Sequence, residues 1–158
     1  MGVTEILSPE RVSVASPAEG PVRTKSEAIR RLSVLLAFGG GPLVAEDIER
    51  VLAEREGLQS TGVGGGVAIP HGSLEGLDHV VGAVLLCPAP VDFDAIDAAP
   101  VTIFFAVIGP KRSASEHLKT LARVSRLLRN DTFRDRLLSA TSGRRPSSCI
   151  AAEEGKGR

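Results

Sequence analysis

Residues Ser60 to Gly72 read S-T-G-V-G-G-G-V-A-I-P-H-G, so a single histidine, His71, follows a glycine-rich loop and a short apolar run ending in Pro70. An imidazole with its ordinary pKa of about 6.5 is largely neutral at pH 7, and its free lone pair makes it a fair nucleophile toward phosphorus. Gly62, Gly64, Gly65 and Gly66 can adopt positive φ and turn backbone N–H groups toward an anion, which reads as a phosphate loop. Such donors, with Arg55 and a second histidine, would neutralise the equatorial oxygens of a phosphoryl group in transfer. G-V-G-G-G-V is followed by no Lys-Ser/Thr pair, which argues against a nucleotide-binding P-loop and makes another protein the phosphoryl donor. Taken alone, a histidine after a glycine-rich loop is more often a structural residue in a turn.

The surrounding elements must hold that histidine still. Val67, Ala68 and Ile69 read as a short buried strand. Thr24 and Glu27 form a capping box that opens a helix with Ile29, Leu32, Leu35 and Leu36 on one stripe, and Gly39 to Pro42 end it. A second helix is expected over 45–56, with Ile48, Val51 and Leu52 inward and Gly57 at C′. Arg55 lies in line with that stripe, either snorkelling over the core edge or aimed at an anion, and helix geometry alone favours the first. Val80 to Leu86 and Val101 to Ile108 have the length and composition of buried strands at the centre of a sheet, and Arg11 to Ala15 that of a short edge strand.

Ser113 and Glu116 make a second capping box, so His117 falls in the first turn of a helix ending near Asn130. His117, Leu121, Val124 and Leu128 share one stripe, which sets the imidazole along the buried edge. Asp131 is expected to cap a last helix, 132 to about 140, with Phe133 and Leu137 inward. Helices on a mixed sheet make an α/β fold, a three-layer α/β/α sandwich, in a single domain over 1–158 whose ends, 1–6 and about 143–158, are candidates for fraying.

Composition narrows the partners. Nineteen basic and nineteen acidic side chains cancel, and 3% aromatic residues leave neither the basic field nor the stacking platforms of a nucleic-acid binder. No signal-peptide core or long apolar run occurs, so a cytoplasmic protein without membrane insertion is expected. Cys87 and Cys149 form no C-x-x-C pair, and Cys87 reads as a small buried hydrophobe. Asp92, Asp94 and Asp97 match no metal-loop spacing and read as turn formers, so no metal is assigned.

The string T-G-V-G-G-G-V-A-I-P-H-G closely resembles the phosphorylation-site signature of enzyme IIA domains of the bacterial phosphotransferase system, fructose/mannitol class. L-A-E-R-E before it, P-V-D-F-D-A-I-D-A-A-P-V after the first long strand, and E-H-L-K-T-L-A-R-V-S-R-L-L further on are similar to that family in the same order, over roughly Leu7 to Ser142. I-L-S-P-E-R-V and F-D-A-I-D-A-A-P-V most resemble its nitrogen-regulatory branch. The resemblance implies His71 as the phosphorylated histidine, His117 as a second active-site histidine and Arg55 as the phosphate-stabilising arginine, with Nε2 as the reacting nitrogen. It also implies a histidine phosphocarrier protein as donor, a regulatory target protein or a IIB domain as onward partner, and no cofactor.

Gly65 stands where relatives usually carry Asn or Glu, R-R-P-S-S-C replaces a regular C-terminal helix, and His79 matches no family histidine and reads as a surface residue. Three functions compete. The first is a phosphotransferase component for nitrogen-type regulation; the second is a sugar-specific IIA component, for which fusion to membrane domains would be common and is not seen in this chain. The third is a binding module switched by phosphorylation without onward transfer.

Overall fold

The computed structural model describes residues 3–15, 22–38, 43–112, 114–139, 146, 150, 152 and 153. The expected helix stop at Gly39 to Pro42, the cap at Ser113 and Cys149 lie outside them. The elements are β1 (Val12–Val14), α1 (Lys25–Ala37), α2 (Ala45–Leu58), β2 (Gly62–Gly64), β3 (Val67–Ala68), β4 (His71–Leu74), β5 (Val81–Val91), β6 (Val101–Pro110), α3 (Ala114–Leu128) and α4 (Asp131–Ser139). The sheet order is β1-β5-β6-β3-β2, with β4 continuing the line of β3 along β6. It is mixed: β5 and β6 are antiparallel, β1 runs parallel to β5, and β3 and β4 run parallel to β6.

Alternation along β5 and β6 divides the core in two. Ala83, Leu85, Phe104, Ala106 and Ile108 pack with Ile29, Leu32, Leu36, Ile48 and Leu52 of α1 and α2. Val84, Leu86, Ile103, Phe105 and Val107 pack with Val124, Leu128, Phe133 and Leu137 of α3 and α4. Both faces of the central strands are covered, which is why they read as continuous apolar runs, and the α/β/α sandwich is the result. Each fully buried aliphatic or aromatic side chain contributes about 1.5–3 kcal/mol.

Local signals act largely as expected. Thr24 caps α1 by accepting from Glu27 N–H at 3.1 Å, while the Glu27 carboxylate accepts from Arg23 N–H, one residue before the cap. Cys87 is buried in β5, and burial pushes its thiol up to about 11. Asp92 and Asp97 close turns by accepting from Asp94 and Ala99 N–H.

Two expectations need correction, at Gly57 and Asp131. Gly57 is inside α2, which runs to Leu58 and ends on an extended Gln59, because Glu56 turns inward there. Asn130 caps α4, accepting from Phe133 N–H at 3.0 Å, and Asp131 is the first helical residue, paired with Arg134. Val3–Ile6 form a 3-10 turn with Val3 and Ile6 buried in the α3-side core. Within the C-terminal stretch, Ile150 is buried in the same core and Glu153 pairs with Arg136.

Candidate functional site

The site lies where β4, β6, α2 and the first turn of α3 meet. His71 opens β4 opposite Val107 of β6, and Pro70 just before it gives its carbonyl to Val107 N–H at 2.9 Å. The imidazole Nδ1 is 2.8 Å from the Ile69 carbonyl oxygen. A carbonyl only accepts, so Nδ1 carries the proton in the neutral ring and the lone pair sits on Nε2. Burial is the main cause that lowers the His71 pKa; the Ile69 hydrogen bond opposes it, Arg55 adds to the lowering and Glu56 counters it, with a net downward shift. His71 is therefore a neutral base at pH 7.

His117 is 7% exposed, and its Nδ1 has no hydrogen-bond partner among the described residues. Its pKa is lowered by burial first and by His71 second. The two rings lie 6.1 Å apart by centroid, tilted by 50°, wider than a direct ring-to-ring hydrogen bond. An anion between them would also sit near the N-terminal end of α3, where the helix dipole is positive.

Two glycines bring these groups together. A Cβ at Gly72 would overlap Val51 Cγ1, so α2 can press onto β4 only because residue 72 has no side chain. Arg55 follows one turn after Val51, which carries it toward the ring of His71. Its Nη1 donates to the Gln59 carbonyl at 2.9 Å, folding the guanidinium over the helix end. Its charge adds to the lowering of the His71 pKa, so the guanidinium lies within electrostatic reach of the ring. Glu56 points the other way: it is buried, paired with Lys25 at 2.8 Å, and accepts from Thr61 N–H. Its carboxyl lies below the usual range although burial, the largest influence, raises it, because the Lys25 and Thr61 bonds together outweigh that.

Gly109 does for His117 what Gly72 does for α2, since a Cβ there would stand 2.6 Å from His117 Nδ1. Neither glycine was singled out from the sequence, where the available signal was a glycine inside a strand. Gly109→Ala is expected to cost about 1–3 kcal/mol through overpacking and to displace His117. Thermal denaturation should show a lowered Tm, and the His117 ring resonances should move; a variant unchanged in both would refute the contact.

The expected phosphate loop is not part of this arrangement. Gly64, Gly65 and Gly66 have φ of 95°, 67° and 80°, as a tight turn between β2 and β3 requires. But Val67 pairs with Ile103 and His71 with Val107, so about 13 Å of strand separates Val67 from His71, and the turn lies beyond Val67. Gly65 N–H is taken by Asp97, the Gly66 carbonyl accepts from Thr102 and Ile103 N–H, and Gly62 packs on Ala95. The glycines serve close packing and the hairpin, and they aim no donors at His71. His79 is exposed, bonded to Asp78. Among the described residues no group of three or more His, Cys, Asp or Glu side chains is arranged to hold a metal ion. No helix among them is long and apolar enough to cross a membrane.

Comparison with known proteins adds an independent line. The family model described as phosphoenolpyruvate-dependent sugar phosphotransferase system, EIIA 2, matches residues 6–146. A nitrogen regulatory protein of Pseudomonas aeruginosa is 39% identical over 86% of this chain and 86% of its own length. The fructose-specific EIIA component of a phosphotransferase system in Haloferax volcanii is 33% identical over 90% of this chain and 92% of its own. The crystal structure of nitrogen regulatory protein IIA-Ntr from Neisseria meningitidis superposes with a TM-score of 0.83 at 29% identity, covering 96% of this chain and 98% of that one.

Proposed function

Because the chain belongs to the EIIA 2 family of the phosphoenolpyruvate-dependent sugar phosphotransferase system, we propose that His71 accepts a phosphoryl group from a histidine phosphocarrier protein and that the modified chain acts in nitrogen-type regulation. The observation that carries this reading is the His71 hydrogen bond to the Ile69 carbonyl, which leaves Nε2 as a lone-pair donor beside Arg55 and His117.

The Nε2 lone pair attacks the phosphorus of the donor's phosphohistidine in line, and the donor's N–P bond breaks with its electron pair returning to the donor ring. His71 keeps its Nδ1 proton on the Ile69 carbonyl throughout. Exchange between two imidazoles leaves bond types unchanged, so the step needs no nucleotide. Arg55 and His117 neutralise the oxygens of the transferring group, which is where charge concentrates.

The regulatory assignment draws on the nitrogen regulatory relatives in Pseudomonas and Neisseria. A sugar-specific role, with transfer onward to a IIB domain, is the second reading, favoured by the fructose-specific relative in Haloferax. Incubation with phosphoenolpyruvate and the general phosphotransferase proteins should yield one acid-labile phosphoryl group on the peptide containing His71. Label confined to any other peptide would remove the assignment. Rapid loss of the label to a fructose-type IIB domain would favour the sugar reading, and its retention the regulatory one.

A further inference from the structure

A cleft of about 160 Å³ lies between β2, β3 and α3. Val63, Val67, Ile69 and Leu128 form its apolar wall, and Arg129 and Arg134 line it as well. Ile69 lies in the link between β3 and β4, two residues before His71, so the cleft adjoins the segment that carries the histidine. Val63 in its wall is 49% exposed. The outer face of α3 carries Lys119, Arg123 and Arg126, with Arg129 just past its end, against the single carboxylate of Glu116. Lys119, Arg126 and Arg129 have no carboxylate partner among the described residues.

The chain as a whole is balanced at nineteen charges of each sign, so this is segregated charge and not a general excess. The opposite layer is mixed: α2 exposes Glu46, Asp47 and Glu54 together with Arg50, which pairs with Asp47. Arg134 is held in place by Asp131 and by the Leu128 carbonyl at 2.7 Å. A Cβ at Gly65 would stand 3.3 Å from Arg134 Nη2, so the missing side chain leaves that edge of the guanidinium uncovered.

We propose that this cationic, apolar-floored face docks the protein that exchanges phosphoryl with His71, and that the partner meets it with an apolar side chain flanked by carboxylates. The proposal rests on the phosphoryl-acceptor reading and names the surface chemistry its partner must have. Arg129, one residue past the end of α3, is twelve residues from His117, so the carboxylates lie about 18 Å from the partner's reacting histidine. Complementary charge at that range steers encounter and fixes orientation while leaving the chemical step alone.

The test compares the parent with Arg126→Glu/Arg129→Glu, using two donors: the cognate histidine phosphocarrier protein phosphorylated from phosphoenolpyruvate, and phosphoramidate, which has no protein surface. With the carrier, the double variant should raise KM about tenfold or more and change kcat by less than about twofold. Labelling by phosphoramidate should be equal in the two proteins. Added NaCl should raise the KM of the parent and have little effect on that of the variant. Circular dichroism and the milder Arg126→Ala/Arg129→Ala pair, expected to show an intermediate KM, guard against misfolding. An unchanged or lowered KM overturns the proposal. So does an unchanged KM accompanied by parent-specific binding to phosphatidylserine vesicles or duplex DNA, which would give the face to a membrane or a nucleic acid. If phosphoramidate labels neither protein, the acceptor reading itself has failed and the docking surface falls with it.

Discussion

Replacing His71 with alanine is expected to leave a folded protein that takes up no phosphoryl group from either a phosphorylated carrier or phosphoramidate. The ring is half-buried at the start of β4 and bonded to the Ile69 carbonyl, so its loss should cost stability on the order of 1 kcal/mol. His117 offers no substitute: it is buried, with Nδ1 closed in against Gly109. Acid-labile, base-stable label persisting on the variant would sink the assignment.

The same site has a pH signature. In the proposed transfer His71 reacts as the neutral base, and its pKa is lowered, first by burial. A depressed pKa means that the neutral form survives to more acidic pH than in a free imidazole. Phosphoramidate labelling should therefore decline with a midpoint below about 6.5 as pH falls. A decline centred at or above that value would contradict the buried, Arg55-facing ring.

Arg55→Ala should slow transfer to His71 by about 10²–10³-fold, the usual cost of removing one donor aimed at developing charge. The acceptor remains, so the label should still reach His71 at long times. Arg55→Lys should recover only part of the rate, because an ammonium keeps the charge and loses the planar fork. Since Arg55 depresses His71, the alanine variant should also show an upward shift in the His71 titration by NMR. A rate within about threefold of the parent, with the titration unmoved, would reduce Arg55 to a residue that closes the end of α2 through Gln59.

Much of the frame was legible because it depends on local pattern. Thr24 with Glu27, the apolar runs of β5 and β6, and the stripe through His117, Val124 and Leu128 are consequences of spacing along the chain. The errors lie where a residue's role is set across space. Asp131 has the chemistry of a cap, but Asn130 has the better position, one residue earlier. Gly57 has the chemistry of a helix stop, yet the Glu56 contact with Lys25 and Thr61 carries the helix past it.

The glycine-rich segment makes the division sharpest. Periodicity, capping and composition by themselves determined an α/β frame, and the order of motifs indicated the family and drew attention to His71, His117 and Arg55. Only the tertiary structure decided what surrounds the ring. The parallel register of β3 and β4 on β6 carries the glycine turn away from His71, while Gly72 and Gly109, distant in sequence, let α2 and His117 close on it. The physical reason is that a turn's backbone geometry is local, whereas the neighbours of a side chain follow from strand register and from which facing positions lack a Cβ.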